Sequence, residues 1–328
     1  MRYGVAVVRE GVETPIEELG VEIGPIDISV GERSSFRCEL RKGKIELGDW
    51  VQVYAPTGEP IGRYWYWGAA QHWKGEAISA LDLGSSDRLL ELAQVWSPGP
   101  IRGKGGDTIL AGQPILAAVA DICGDLGIEL VAPALDRVAV SDYVWQPGTP
   151  LAQVVTDLLA SCGLRWTPGR RGEVVAYAEA GDATGRVEKE EIIELEIRPA
   201  WDRVANVVIV ERRGGIQPAV GVTAVWDDTT SETSLERWVP RVEYVDAVPT
   251  ETEALEALAQ RILDERKVVG AEATVVMAVR HDIWPGDRLL FAGWRDNPHL
   301  LVRSVEWREG SSTMRIEGMW SKLWDAAT

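Results

Sequence analysis

Phenylalanine, histidine, cysteine and positive charge are all scarce in this chain of 328 residues. The three cysteines, Cys38, Cys123 and Cys162, are an odd number without metal-ligand spacing. They encode neither a disulfide framework nor a zinc site and read as reduced, buried small hydrophobes. The three histidines, His72, His281 and His299, fall on separate predicted turns or strand ends. None belongs to a His-Glu-x-x-His helix or a Cys/His metal constellation. Basic residues number 34 against 51 acidic ones, a formal net charge of −17. A duplex binder or a membrane binder needs a basic face, so both classes are disfavoured. A surface past which DNA slides without sticking is compatible with that charge. No apolar run approaches the roughly 20 residues of a membrane span. The stretch Met1 to Glu10 breaks into charge before a signal-peptide core can form, which predicts a soluble, unexported chain with no membrane insertion.

What is present is an ordinary globular balance, 45% hydrophobic and 26% charged, in a length that favours two or three domains. The 15 tryptophans against 2 phenylalanines suit interfaces and half-wet surfaces, because indole carries a polar handle. Residues 1–98 read as short strands with turns. Phe36–Leu40 and Trp50–Tyr54 alternate apolar and polar residues at the period of a half-buried strand. Gly48-Asp49 and Pro56–Pro60 supply turns. Arg63–Trp67 places Trp65 and Trp67 on one face and Tyr64 and Tyr66 on the other, with Glu76–Leu83 as its expected hairpin partner.

After a Pro/Gly-rich linker at Ser97–Asp107, residues 108–190 carry two copies of a helix–strand unit, 36 residues apart. Pro114, Asp121 and Gly127 in the first match Pro150, Asp157 and Gly163 in the second. Proline fits a helix start and glycine a left-handed helix end. Glu173–Ala178 adds a strand. From 191 to 328 the chain is β-rich again, with predicted strands at Arg203–Glu211, Val220–Trp226, Ala273–Val279, Asp287–Phe291, Leu300–Trp307 and Thr313–Met319. One helix interrupts them, capped by Thr250 with Glu253, running through Leu255, Leu258 and Ile262 to Arg266, and stopped by Gly270. Gly214-Gly215 and Trp284-Pro285-Gly286-Asp287 are turns. The fold class expected is α+β, predominantly β: two antiparallel β-barrel domains, 1–98 and 191–328, around a middle α+β domain, 108–190.

Catalytic motifs fail one by one. Gly99–Lys104 has three residues between its glycines where a phosphate loop has four, and Gly105 stands where a metal-binding Ser or Thr belongs. His281-Asp282 could pair a base with an orienting acid, but no nucleophile motif accompanies it. Asp227-Asp228 reads as a loop rather than half of a glycosidase site, which needs two carboxylates across a cleft. No catalytic residue, cofactor or metal is expected. Trp65 and Trp67, with Trp73 nearby, could stack sugar rings, but a core or an interface is the better account of them.

The order of elements resembles the phage tail hub proteins: the baseplate hub of contractile tails, the late control protein D type, and its tail-tip counterparts. The resemblance rests on the paired units ending in Gly163-Leu164-Arg165-Trp166, on Ala205–Val210, and on the closing run. In that run Glu251–Arg266 leads to Trp284–Phe291, then Leu301–Trp307 and Met314–Gly318. It implies a non-enzymatic virion protein at the distal end of the tail, made in the host cytoplasm. Three chains would form a ring whose six tube-like barrels adapt the sixfold tail tube to a threefold central spike or fibre. Its implied partners are a tail tube or distal tail protein above and a spike, fibre or tail-tip protein below. The tape measure protein is a further implied contact. DNA would pass through the ejection channel without specific binding. Two alternatives stand beside this: a carbohydrate-binding or cell-wall-degrading tail component using Trp65, Trp67 and the acids near Asp227, and the hub of a phage-derived injection machine.

Overall fold

The computed structural model describes residues 2–31, 34–66, 72–74, 77–95, 112–135, 137–139, 145, 148–178, 181–212, 221–247, 252–267, 270–294 and 297–320. The first region supplies β1 (Gly4–Arg9), β2 (Val12–Pro15), β3 (Glu22–Val30), β4 (Ser35–Lys42), β5 (Trp50–Tyr54), β6 (Pro60–Trp65), β7 (His72–Lys74) and β8 (Ala77–Gly84). Next come α1 (Ser86–Leu92), α2 (Ile115–Asp125), β9 (Leu130–Val131), α3 (Leu151–Ser161), β10 (Leu164–Pro168) and β11 (Val174–Ala178). The last region holds β12 (Gly185–Glu188), β13 (Ile192–Pro199), β14 (Val207–Arg212), β15 (Gly221–Val225), β16 (Val242–Ala247) and α4 (Thr252–Arg266). It closes with β17 (Ala271–Ala278), β18 (Arg288–Ala292), β19 (His299–Arg308) and β20 (Thr313–Trp320).

The mostly β, α+β class is the one the sequence predicts, but the two β regions form no closed barrel among the described residues. They share one 14-stranded sheet with the path β13-β17-β20-β19-β3-β4-β8-β6-β5-β1-β2. The seam between them is β3 against β19, in antiparallel register from Val30↔Val305 to Asp27↔Arg308. One apolar core follows the seam. Phe36, Val51 and Tyr64 from the first region pack in the same cluster as Phe291, Val302, Trp307 and Ile316 from the last. Alternation is what allows this. In β4, Phe36, Cys38 and Leu40 point inward and Arg37 and Glu39 outward, which is the period-2 pattern of a one-sided strand. The strand β12 joins this sheet through β18, and Val187 is fully buried in its core. The last β region therefore recruits residues as early as Gly185.

The hairpin expected between Arg63–Trp67 and Glu76–Leu83 is displaced. Strand β6 pairs along its length with β5 and touches β8 only at Trp65↔Gly84. Instead β8 turns back on β7 and lies against β4. The short strand β7, unrecognised in the sequence, is the nearer hairpin partner. Similarly, Trp201–Arg203 is a 3-10 turn, and the strand expected at Arg203 begins only at Val207.

The helical repeat is real and longer than the sequence motif. Both helices begin at an extended proline, Pro114 and Pro150, and both end at a left-handed glycine, Gly127 (φ 71°) and Gly163 (φ 74°). Two residues before each proline stand further left-handed glycines, Gly112 (φ 85°) and Gly148 (φ 89°). Each proline forms an isolated antiparallel bridge, Pro114↔Val138 and Pro150↔Gln94. The surrounding bonds match as well: Gly112 donates to Ala139 and Gly148 to Val95. Strands β9 and β10 flank β11, one parallel and one antiparallel to it, so the strands of the two copies run in opposite directions. Their core is Val119, Ile122, Val154, Leu158 and neighbours. Helix α4 covers a third sheet, β15-β14-β16, with Leu255, Ala259 and Leu263 against Val208 and Val210. That is the spacing of a helix face read every three or four residues. The proposed Thr250 cap and the Gly214-Gly215 turn lie outside the described residues. Helix α4 ends at Arg266, four residues before Gly270.

Candidate functional site

A constellation of polar and aromatic side chains occupies the joint where the middle region meets both β regions. The turn between β10 and β11 reaches across the sheet. Gln52, fully buried although it sits on the outer face of β5, donates to the carbonyls of Gly62 (2.9 Å) and Arg170 (3.0 Å). Its Oε1 accepts from Arg63 Nε at 2.9 Å. A buried amide needs this complete set of partners, so the turn acts as a lid over that face. Ser86 Oγ donates to the Glu173 carbonyl at 3.3 Å. On the other side Trp284 Nε1 donates to the Pro168 carbonyl at 2.9 Å. The Arg170 guanidinium lies 4.9 Å above the Trp284 ring and donates to the Asp282 carbonyl at 3.0 Å.

The Trp284–Asp287 turn makes this possible. Trp284 N donates to Asp287 Oδ2 at 2.6 Å, and Asp287 N to the Trp284 carbonyl at 3.0 Å. Gly286 has φ 95°, and a Cβ there would sit 2.9 Å from the Tyr177 ring. Only glycine meets both demands. From Trp284 an aromatic file runs on: Trp307 at 5.8 Å, then His281 at 6.1 Å, then Tyr3 edge-on at 5.6 Å. Trp307 Nε1 donates to the Arg280 carbonyl at 3.2 Å. Burial, and then Arg170, lower the His281 pKa, which favours the neutral imidazole, and the ring shares a hydrogen bond with the Tyr3 hydroxyl at 3.2 Å. Burial raises the Asp287 pKa, opposed by the Trp284 N–H. These bonds and ring contacts weld three parts of the chain together.

A second buried polar group acts in the same way. Asn206 is fully buried. Its amide donates to the carbonyls of Thr233 (3.2 Å) and Val239 (3.0 Å), and its Oδ1 accepts from Arg241 N (2.8 Å). One side chain thereby holds the whole 226–241 excursion, which carries Asp227-Asp228. Asp228 is spent locally on Thr230, whose N–H and hydroxyl both donate to it.

The other sequence candidates are dispersed. Trp65 is half-buried and pairs across strands with Trp50, ring centres 6.5 Å apart and tilted by 40°. Trp50 was missed by motif reading, although the alternation of β5 places it on the same outer face. Trp67, the side chains of Trp73 and His72, and the Gly99–Lys104 loop lie outside the described residues. His299 begins β19, remote in sequence from His281. Cys38 and Cys123 are buried and Cys162 is half-buried, all three free. Among the described residues no three His, Cys, Asp or Glu side chains are grouped to hold a metal. No described helix is long and apolar enough to cross a membrane.

The architecture is a long sheet shared by both β regions, carrying a pair of helix–strand units. It is similar over nearly its full length to three solved structures. A tail protein from Neisseria meningitidis MC58 matches at 14% identity and TM-score 0.67, covering 98% of this chain and 96% of that one. The 43 kDa tail protein of prophage MuSo2 from Shewanella oneidensis matches at 13% identity and TM-score 0.62, covering 97% and 98%. A prophage tail protein from Listeria monocytogenes EGD-e matches at 9% identity and TM-score 0.54, covering 96% and 94%. No family model matches the sequence, and no curated protein does.

Proposed function

We propose that this protein is a structural hub at the distal end of a phage or phage-like tail. Three chains form a ring that joins the sixfold tail tube to a threefold spike or fibre, and DNA leaves through its lumen. The observation that carries the reading is the end-to-end likeness to solved tail proteins, which cover 97–98% of this chain. The division into 1–98, 108–190 and 191–328 gives each chain two β regions, so a trimer presents six around its axis. The β3–β19 seam supports the role by fixing the two β regions edge to edge, so that they act as one rigid sector. Contacts between unlike surfaces of neighbouring copies close into a ring when the rotation fits. The formal charge of −17 per chain disfavours retention of a passing polyanion. The role needs no catalytic residue, metal or cofactor.

Light scattering across a range of concentrations tests this. The expected mass is about 108 kDa, three times the 36.0 kDa chain, with threefold rings in electron micrographs. A chain that remains a 36.0 kDa monomer both alone and with purified tail tubes would sink the reading.

A further inference from the structure

An arginine-lined cleft opens where the middle region, α4 and the long sheet converge, with a volume of about 440 Å³. Arg165 comes from β10, Arg203 from the turn before β14, Arg241 from the start of β16, Arg266 from the end of α4 and Arg303 from β19. Arg303 stands at a break in register between Val302 and Ser304, and such a bulge re-aims a side chain out of the ladder.

Arg203 and Arg266 are committed internally. Arg203 pairs with Glu272 at 2.6 Å and Arg266 with Glu243 at 3.1 Å. Arg241 donates one N–H to the Asp202 carbonyl at 3.1 Å and lies 5.8 Å from the Trp238 ring centre. Arg303 has no ion-pair partner among the described residues. Five guanidinium groups face the carboxylates of Asp202, Glu243 and Glu272. The cleft is therefore net positive in a chain of charge −17.

The neighbouring surface shows what kind of molecule fits. The face of the β15-β14-β16 sheet turned away from α4 carries cross-strand apolar neighbours. Val207 lies between Val225 and Val242, and Ile209 beside Tyr244. Val225 is 43% exposed, Val242 45% and Tyr244 71%. Val242 also lines the cleft, so the positive pocket and the apolar face are continuous. A free phosphate or a nucleic acid uses only the first of these surfaces. The cleft is also too confined for a duplex, and the acidic surroundings repel a long polyanion. Planar guanidinium groups pair carboxylates through two parallel bonds, and valine and tyrosine cover apolar side chains.

We propose that this cleft binds an acidic segment of a protein partner, its carboxylates on Arg303 and Arg241 and its flanking apolar residues on Val242 and Tyr244. The inference does not depend on the trimeric hub, because it concerns one chain and can be read in the monomer.

Fluorescence anisotropy with labelled hexaglutamate tests it on the full chain, with inorganic tripolyphosphate as competitor. The expected result is salt-sensitive binding that weakens about tenfold in Arg303→Gln and again in Arg241→Gln, since each variant removes one charge-assisted pair. A hexaglutamate peptide extended by valine and leucine should bind more tightly than hexaglutamate alone, and Tyr244→Ser should abolish that difference. Thermal melts establish that each variant is folded; Tyr244 and Arg303 both have water on one side, so their replacement leaves the cores intact. Three results overturn the proposal: no hexaglutamate binding, binding by both arginine variants as tight as by the unmodified protein, or displacement by tripolyphosphate at concentrations where hexaglutamate does not compete. None of these outcomes bears on the mass measurement, so loss of this site and loss of the hub reading are distinguishable.

Discussion

Replacing Asp157 by Asn should stabilise the protein at neutral pH and leave it unchanged in acid. Asp157 lies on α3, half-buried beside Val154, Val155 and Leu158, and accepts one hydrogen bond from Trp145 Nε1 at 3.0 Å. Burial pushes its carboxyl up from 3.8 to about 6, against a smaller downward pull from the Trp145 bond. The folded pKa thus lies above the unfolded one, and the fold holds the proton more tightly than the unfolded chain does. The stability this group contributes is full below about pH 4, falls between about 4 and 6, and is gone above that window. A difference of about two pH units corresponds to roughly 3 kcal/mol, an upper bound because water reaches one side of the carboxyl. Asn keeps an oxygen for the Trp145 N–H and has no charge to desolvate. Calorimetric melts of both proteins across this pH range isolate the effect, since the other carboxylates cancel in the difference. The variant should melt together with the parent near pH 4 and gain on the order of 1–3 kcal/mol by pH 7, or several degrees in Tm. A difference curve that is flat, or that turns against the variant above pH 6, would refute the argument.

Removing the Asn206 amide by Asn206→Ala should cost about 2–4 kcal/mol in urea denaturation, because it strands two carbonyls and the Arg241 N–H in a buried site; a loss below about 1 kcal/mol would mean water replaces the amide. Gly286→Ala should destabilise by about 1–3 kcal/mol through its left-handed backbone and its collision with Tyr177, and limited proteolysis should then release the middle region first. With Ellman's reagent at pH 8, Cys162 should react well ahead of Cys38 and Cys123, whose thiols burial pushes up to about 12; equal rates for all three would contradict the burial described. Asp49 shows the opposite pH sign to Asp157. Burial pushes its carboxyl up, but the paired bonds from Arg9 at 2.7 Å reverse this and leave it below its ordinary value. Asp49→Asn should therefore lower Tm at neutral pH, and the deficit should shrink as pH falls below about 4.

Local features were legible in the sequence, and long-range ones were not. The helix pair could be read from Pro114/Pro150 and Gly127/Gly163 because cap chemistry is written in single residues. The outer glycines Gly112 and Gly148 follow the same rule and simply extend it. The inward alternation of β4 and β17 was equally plain. The β3–β19 seam left no trace, since pairing between segments nearly 300 residues apart imposes no local period. Gln52 looked like an outward residue of β5 and is buried only because Arg170 is brought over it. Trp65 and Trp67 drew attention as a stripe, yet the partner of Trp65 is Trp50 on the adjacent strand. The arginine cleft collects residues from five separate segments and is invisible to any motif. Asn206 lay inside a recognised run, and only its three bonds reveal why a polar residue stands there.

The seam also sets a timetable for the chain's birth. Strand β3 is finished when about a tenth of the protein has been made, but its neighbour β19 ends at Arg308. At the roughly 5–20 residues per second of synthesis, the edge of β3 waits some 15–55 s for its partner. Once β8 is complete at Gly84, and for the rest of that interval, half of the principal core is present without the other half. Truncated products that stop before β19 should accordingly be sticky and short-lived in the cell, and the ribosome rather than the sheet sets the pace at which this protein becomes whole.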